Sequence, residues 1–468
     1  MRRLLRSCLV ALALLSMPRE VEAAAPLRLQ DVLTSLPNTH PELEVADTRV
    51  EAAKARHFAA RGFFDPRVAL STRYTPLGYR DYYPQFHSDA LVAQATPLWG
   101  TQLYAGHRLG LGEYQIYRRG LQTLSAGELR AGAVIPLLRG GAIDDGRAAI
   151  AQTRARAEGA VEGRDAQRLE LERQAARAYW SWLAAGMRLG VARRLLETAT
   201  RRAEQLQAQA DAGAVAAIMV LDNERLVLER EARVIAAEQE FQQAALALSL
   251  YHRDEQLEPI VSGEELLPPE IPSAGRPLRD ELDREIAEAL RRRPDLREIE
   301  AERDARTVGV RLAKNRVLPA LNLHGFVSKD FGTGLEELRP LEAGVGVSFE
   351  IAIPMRQARG ELQAARAELR GIEARRRAVR DVVAAQIREA HVAWEAAYRQ
   401  AELAGRQQSV AYTLAEAEMM RFREGASDLV IVNLRELAAA DAEILEIEAQ
   451  AEVQRVRADF LAVTARGY

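Results

Sequence analysis

Apolar residues recur along this chain with two different periods. Between 362 and 411 the period is seven. Leu362, Leu369, Val383, Ala390, Ala397, Ala404 and Ala411 share one heptad position, with Arg376 the exception, and Ile372 and Val379 take the companion position. That spacing predicts a long helix with a coiled-coil seam, and the alanines let neighbouring helices approach closely. Elsewhere the period is two. In 66–75, Val68, Leu70, Thr72 and Tyr74 oppose Arg67, Ser71 and Arg73. In 128–136, Leu129, Ala131, Ala133 and Ile135 share a face. In 343–351, Val345, Val347, Phe349 and Ile351 oppose Gly344, Gly346, Ser348 and Glu350, while 319–328 alternates less cleanly. These four segments predict strands with one apolar face. A membrane β-barrel uses such strands at about 9–11 residues, and a soluble sandwich strand looks the same locally.

Proline placement divides the chain. None of the 18 prolines lies in 137–258 or 355–468, whereas Pro259, Pro268, Pro269, Pro272 and Pro277 crowd into 259–277. Proline costs about 3 kcal/mol inside a helix, so the two proline-free stretches can be long helices and 259–277 reads as an extended linker. The chain also repeats itself. Pro41 and Pro66 correspond to Pro294 and Pro319, Gly146 and Trp180 to Gly360 and Trp394, and Gly213 to Gly425. Each half reads as a helix, a strand region, a very long helix, a glycine turn and a return helix. The expected organisation is a first repeat over 25–258, with its strand region at 66–136 and its turn at 213. A second repeat covers 278–468, with its strand region at 319–354 and its turn at 425. Residues 147–212 and 360–424 would each be helices of about 100 Å at 1.5 Å per residue.

The N-terminus carries a targeting pattern. Arg2, Arg3 and Arg6 precede the apolar run LVALALL, and Ala23, Ala24 and Ala25 follow. This is the layout of a secretory signal peptide over 1–24, and it predicts export. No later segment approaches 18 apolar residues, so a membrane role needs a β-barrel or a surface helix. Basic and acidic residues nearly balance at 64 and 67, which removes the electrostatic footprint of a nucleic-acid binder. Cys8 is the sole cysteine, so no internal disulfide or cysteine-based metal site is expected.

Aromatic residues are concentrated. Phe63, Phe64, Tyr74, Tyr79, Tyr82, Tyr83, Phe86, Trp99, Tyr104, Tyr114 and Tyr117 all fall within 63–117. Amphipathic rings gather at membrane–water interfaces, which makes Tyr74, Tyr79, Tyr82, Tyr83, Phe86, Trp99 and Tyr104 candidate interface residues. The strand count then becomes decisive. Four strands cannot close a barrel, for which about eight is the minimum, and open edges in lipid leave backbone groups unsatisfied. Strands that enter a membrane must therefore be shared among several chains.

At this point the sequence resembles the TolC-like outer-membrane efflux proteins over roughly residues 28–466. "HPEL" and "RPDL", with "FFDP" and "VLPA" further on, resemble that family's helix-to-strand entry. "IPLLRGG" and "IPMRQARG" resemble its strand-to-helix exit. The fold class implied is mainly α with a membrane β-barrel portion, two repeats of long coiled-coil helices plus β-hairpins. Three chains would form an α/β-barrel channel-tunnel with four strands each, a 12-stranded barrel. The resemblance implies a homotrimer in outer-membrane lipid with a large periplasmic portion. It would be a passive exit duct for a tripartite efflux or type I secretion system. Its partners would be a periplasmic adaptor and an inner-membrane transporter of RND, ABC or MFS type, with no nucleic acid. The turns, Gly213, Ala214 and Val215 with Gly425, Ala426, Ser427 and Asp428, would be the periplasmic tips that dock the adaptor. Ser427 and Asp428 could also cap the return helix. Family members often carry an Asp six residues beyond the tip glycine, where this chain has Met219 and Ile431. The first strand region is long, and its surplus over 76–127 is either an extracellular elaboration or extra strands.

No catalytic or metal residue and no cofactor is expected. The seven histidines are scattered, and GxSxG, P-loop and helix-opening GxGxxG motifs are absent. The competing readings are a periplasmic adaptor, which would have one helical hairpin and more soluble β sequence, and a structural coiled coil, which would leave the alternating strands unexplained.

Overall fold

The structure is a computed structural model that describes residues 25–76, 84–112, 114 and 120–467. The expected signal peptide over 1–24 lies outside the described residues, as do Tyr79, Tyr82, Tyr83 and Tyr117. The chain runs α1 (Leu29–Thr39), α2 (Pro41–Arg61), β1 (Arg67–Thr75), β2 (Gln85–Ala95), β3 (Gln102–Gly112), β4 (Glu128–Pro136), α3 (Asp145–Asp211) and α4 (Ala217–Ser249). Then come α5 (Leu282–Arg292), α6 (Pro294–Arg316), β5 (Ala320–Asp330), β6 (Glu342–Glu350), α7 (Arg356–Arg423) and α8 (Leu429–Val463). Helices α3 and α7 have 67 and 68 residues, and no proline interrupts them. Among the described residues, no helix is long and apolar enough to cross a membrane.

Two compact units form, and each draws on both halves of the sequence. The helical unit comprises 25–43, 168–286 and 386–467. Its core gathers Val32, Leu36, Trp182, Leu183, Leu189 and Leu248, all fully buried. The Trp182 indole donates to the Ser262 carbonyl at 3.1 Å, and the Tyr179 hydroxyl donates to the Leu27 carbonyl at 2.9 Å. Burial pushes the Tyr179 phenol up to about 12. The proline-rich segment 259–277 holds a short 3-10 turn at Glu264–Leu266 and is packed down. Ile271 and Ala274 are buried, and the Gln454 amide donates to the Pro272 carbonyl.

The heptad positions of α7 turn inward. Val383, Ala390, Ala397 and Ala404 are buried, and Leu362, Leu369 and Ala411 are half-buried. Arg376, the polar exception, sits 3.2 Å from Glu300 of α6. An opposite charge on the neighbouring helix is what lets an arginine occupy a seam position.

The second unit comprises the described residues of 44–167 and 287–385 and contains the sheet. Its strands form one antiparallel sheet in the order β1-β2-β3-β4-β5-β6. This corrects the expectation of four strands per chain. The surplus over 76–127 holds β2 and β3, inserted between β1 and β4 as the longest-paired hairpin of the sheet. Alternation in β2 is blurred by alanines on both faces, and β3 carries Gly106, Gly110 and Gly112, which lower strand propensity. All three are required, and a side chain at Gly106 would strike the Ala90 carbonyl. A side chain at Gly110 would strike the Leu121 carbonyl, and Gly112 has a φ of +107° beside the Pro84 carbonyl.

Candidate functional site

The ladder register separates two faces of the sheet, because paired residues in adjacent strands point the same way. Val68, Val92, Ala105, Ala131, Val327 and Ala343 form one continuous row. The same face carries Leu70, Tyr74, Phe86, Leu103, Leu109, Leu111, Ile135, Leu323, Val345, Val347 and Phe349. Thr72, Ser88, Gln94, His107 and Lys329 are its polar members. Much of this face lies open: Val345 is 82% exposed, Val68 78% and Leu70 71%. An open apolar face of this extent marks a membrane or interaction surface.

The opposite face is polar. It bears Arg67, Arg73, His87, Asp89, Arg108, Glu128, Arg130, His324, Glu342 and Glu350. Arg130 on β4 lies 2.6 Å from Asp89 on β2, and Arg108 on β3 lies 2.7 Å from Glu128 on β4. His324 hydrogen-bonds Ser348 across the β5–β6 pair at 2.7 Å. An apolar face backed by a polar, ion-paired face is the dyad pattern of a barrel wall between lipid and water.

Candidate aromatic residues distribute along this wall. Tyr74 and Phe86 are paired at one end of the apolar face, where β1 leads into β2. Trp99 sits at the other end, in the turn between β2 and β3, close to Gly141. Both Trp99 and Gly100 take left-handed backbone there, with φ of 51° and 66°. The structure places Tyr104 apart from these, on the polar face opposite Gly132. Its hydroxyl fills the space where a Gly132 side chain would stand.

The tips belong to the helical unit. After α3, the Ala214 amide bonds the Gln209 carbonyl at 2.8 Å and the Gly213 amide bonds the Ala210 carbonyl at 2.9 Å. After α7, Ala426 bonds the Arg421 carbonyl at 2.8 Å and Gly425 bonds Phe422 at 3.0 Å. Both are Schellman motifs, and their C′ residue must be left-handed, which Gly213 at +71° and Gly425 at +74° satisfy. A Cβ at either glycine would meet nothing within 4 Å, so backbone conformation alone demands glycine there.

The two tips differ beyond the turn. The Asp428 carboxylate accepts from the Val430 amide at 2.9 Å and caps α8. Ser427 instead donates to the buried Glu418 carboxylate, tying the turn back onto α7. Helix α4 has Ala216 at its N-cap, which offers no side-chain cap. Gly213, Ala214, Gly425, Ala426 and Asp428 are exposed, with Val215 and Ser427 half-buried. Ile218, Leu221, Val430 and Leu434 stand exposed on the return helices just past the turns.

Behind the tips, α4 and α8 flank a groove of about 640 Å³ lined by Met219, Asn223, Leu226, Val430 and Leu434. Arg230 and Asn433 of its lining are buried and belong to a cluster of polar and charged side chains. Glu436 of α8 accepts from Arg202 of α3 at 2.5 and 2.9 Å and lies 3.6 Å from Arg230 of α4. Arg202 also donates to Asn433, and Arg230 to the Leu195 carbonyl at 3.0 Å. Burial holds the Arg230 guanidinium below its usual range, partly offset by Glu436. Sequence inspection singled out none of these three residues. Arg and Glu are abundant on the long helices, and only packing shows which are buried. Met219 lines the groove and Ile431 is exposed at the positions where an acidic residue is common in the resembled family.

Among the described residues, no group of three or more His, Cys, Asp and Glu side chains could hold a metal ion. No curated protein matches the sequence. Solved structures share the fold. The outer-membrane channel OprN aligns at 19% identity and a TM-score of 0.62, over 94% of this chain and 90% of its own. The outer membrane protein VceC of Vibrio cholerae aligns at 14% and 0.64, over 94% and 96%. The open-state MtrE outer membrane channel of Neisseria gonorrhoeae aligns at 16% and 0.65, over 94% and 89%. The model of the outer membrane efflux protein family matches residues 108–251 and 286–464. That match spans well over half of the sequence, and the chain belongs to the outer membrane efflux protein family.

Proposed function

We propose that three copies of this chain form one passive exit duct through the outer membrane. The reading is carried by the sheet, which has an exposed apolar face, a polar ion-paired face, and free edges at β1 and β6. A sheet with open edges cannot stand alone in hydrocarbon, since each unsatisfied backbone group there costs several kcal/mol. Identical copies remove both edges at once. The duct is fed by an inner-membrane transporter of RND, ABC or MFS type through a periplasmic adaptor.

The adaptor docks on the tips at Gly213–Val215 and Gly425–Asp428. Two features support this surface. Its backbone is fixed by paired Schellman motifs, and exposed Ile218, Leu221, Val430 and Leu434 offer apolar anchors beside it. A helix-in-groove partner uses anchors of this kind. Fractionation followed by mass measurement in detergent tests the assembly. An integral outer-membrane trimer is expected, and a water-soluble monomer overturns the reading.

A further inference from the structure

We infer that β2 and β3 are wall strands, so that three copies close a barrel of 18 strands, six from each, instead of 12. The inference rests on the trimeric duct and adds to it the width of the pore.

Topology carries the first part. β2 occupies the inner edge of β1, and β3 occupies the edge of β4 that faces β1 in the strand order. β1 and β4 are therefore separated by two complete strands. A wall that contains both β1 and β4 in this sheet must contain β2 and β3. An extracellular hairpin would have left β1 and β4 to pair with each other.

The side chains agree. β2 and β3 have 11 residues each, within the length that crosses a bilayer as a tilted strand. Phe86, Ala90 and Val92 on β2, with Leu103, Ala105, Leu109 and Leu111 on β3, continue the apolar face, interrupted only by Ser88, Gln94 and His107. His87, Asp89 and Arg108 continue the polar face, and Asp89 is ion-paired across β3 to Arg130. Trp99 at one end of the hairpin and Phe86 at the other place rings at both levels where a membrane wall carries them.

The free edges name their occupant as a second copy of this chain. β1 and β6 are nine residues each. In a six-strand meander they run in opposite directions, so β1 of one copy meets β6 of the next as an antiparallel pair. Their apolar residues then share one face. On the other face β1 presents Arg67 and Arg73, and β6 presents Glu350 and Glu342 at the matching ends. Opposite charges on facing strands stabilise such a pair and fix its register. Because diameter grows roughly linearly with strand number, 18 strands give a pore about 1.5-fold wider than 12 and roughly twice the cross-section. That is the size class that leaves an open aqueous channel.

Nitroxide labels at single cysteines test this in the full-length protein in lipid, in a Cys8→Ser background. Ala90→Cys and Val92→Cys should be several-fold more accessible to oxygen than to a water-soluble nickel chelate, with Leu91→Cys and Ala93→Cys reversed. Val345→Cys and Gly346→Cys on β6 serve as the reference pair. Alternation on β6 with uniform water access on β2 overturns the 18-stranded wall and leaves the duct standing. Loss of alternation on both strands overturns the duct itself. Electron cryomicroscopy of the unmodified trimer gives the count independently of any variant: 18 strands are expected, and 12 refute the inference.

Discussion

The Arg130 guanidinium on β4 reaches over β3 to grip Asp89 on β2, its Nη2 standing 2.7 and 2.6 Å from the two carboxylate oxygens. Gly106, opposite Arg130 in the ladder, puts no side chain in the way. One ion pair thus staples three strands on the polar face. Arg130→Ala should destabilise the sheet by about 1 kcal/mol, since the pair is only partly shielded from water. The charge reversal Asp89→Arg with Arg130→Asp should restore most of the loss. Heat resistance of the trimer on native gels reads both, and equal destabilisation by the reversal would show that the pair does not bridge the strands.

At the seam between copies, Arg73→Glu should weaken the trimer by setting like charges on facing strands. Glu342→Arg in the same chain should recover it. The trimer-to-monomer ratio in increasing detergent measures the effect. An unchanged ratio in the single variant would argue against β1 meeting β6.

The tips allow docking to be separated from folding. Gly425→Ala places a Cβ in open space but in left-handed backbone, and should cost about 1–2 kcal/mol of helix-end stability. Ala426→Glu carries no such strain, since Ala426 is exposed and Gly425 alone needs the positive φ. That variant should keep a folded trimer in the outer membrane and abolish transport. Normal efflux from it would remove the tips from the docking surface.

Glu436 is the only carboxylate among the described contacts of Arg202 and Arg230, with side-chain exposures of 15% for Glu436, 11% for Arg202 and 5% for Arg230. Glu436→Gln should leave two guanidinium groups in a poorly solvated site and destabilise the helical unit by about 3 kcal/mol. Thermal melts followed by circular dichroism check this. A Glu436→Gln variant as stable as the parent would mean water reaches the site freely.

Two half-buried imidazoles predict acid sensitivity in the same unit. Burial lowers the pKa of His252, which bonds Ser262 at 3.1 Å, and of His40, whose ring stacks on Tyr251. A folded pKa below the unfolded 6.5 favours the neutral form in the native state. Stability is therefore full above 6.5 and is lost as pH falls through the folded value. The melting temperature should drop as pH falls below 6.5, and His252→Gln should flatten that drop. An identical pH profile for His252→Gln would place the sensitivity elsewhere.

The long helices, the tip glycines and four of the strands were legible in the sequence because each rests on a local rule. A heptad stripe needs only spacing, a Schellman turn needs only one residue that tolerates positive φ, and an exposed strand shows its two faces when large apolar and charged residues alternate. β2 and β3 obeyed the same alternation with weaker contrast. Ala90 and Ala93 point to opposite faces, and the glycines of β3 answer to Leu121 and Pro84, residues whose nearness no local pattern reveals. The buried cluster of Arg202, Arg230 and Glu436 was illegible for a related reason. Its members sit 28 and 206 residues apart, and nothing in their own neighbourhoods distinguishes them from dozens of solvated charges.

By itself, then, the order of residues determined the periods, the turns, and the need for partners that an open sheet in lipid imposes. Tertiary structure decided how many strands stand between β1 and β4, which face each one shows, and which charges are buried. Those are properties of pairing between distant segments. Hydrogen bonding and desolvation act on what lies alongside in space, and that is set only when the chain has folded.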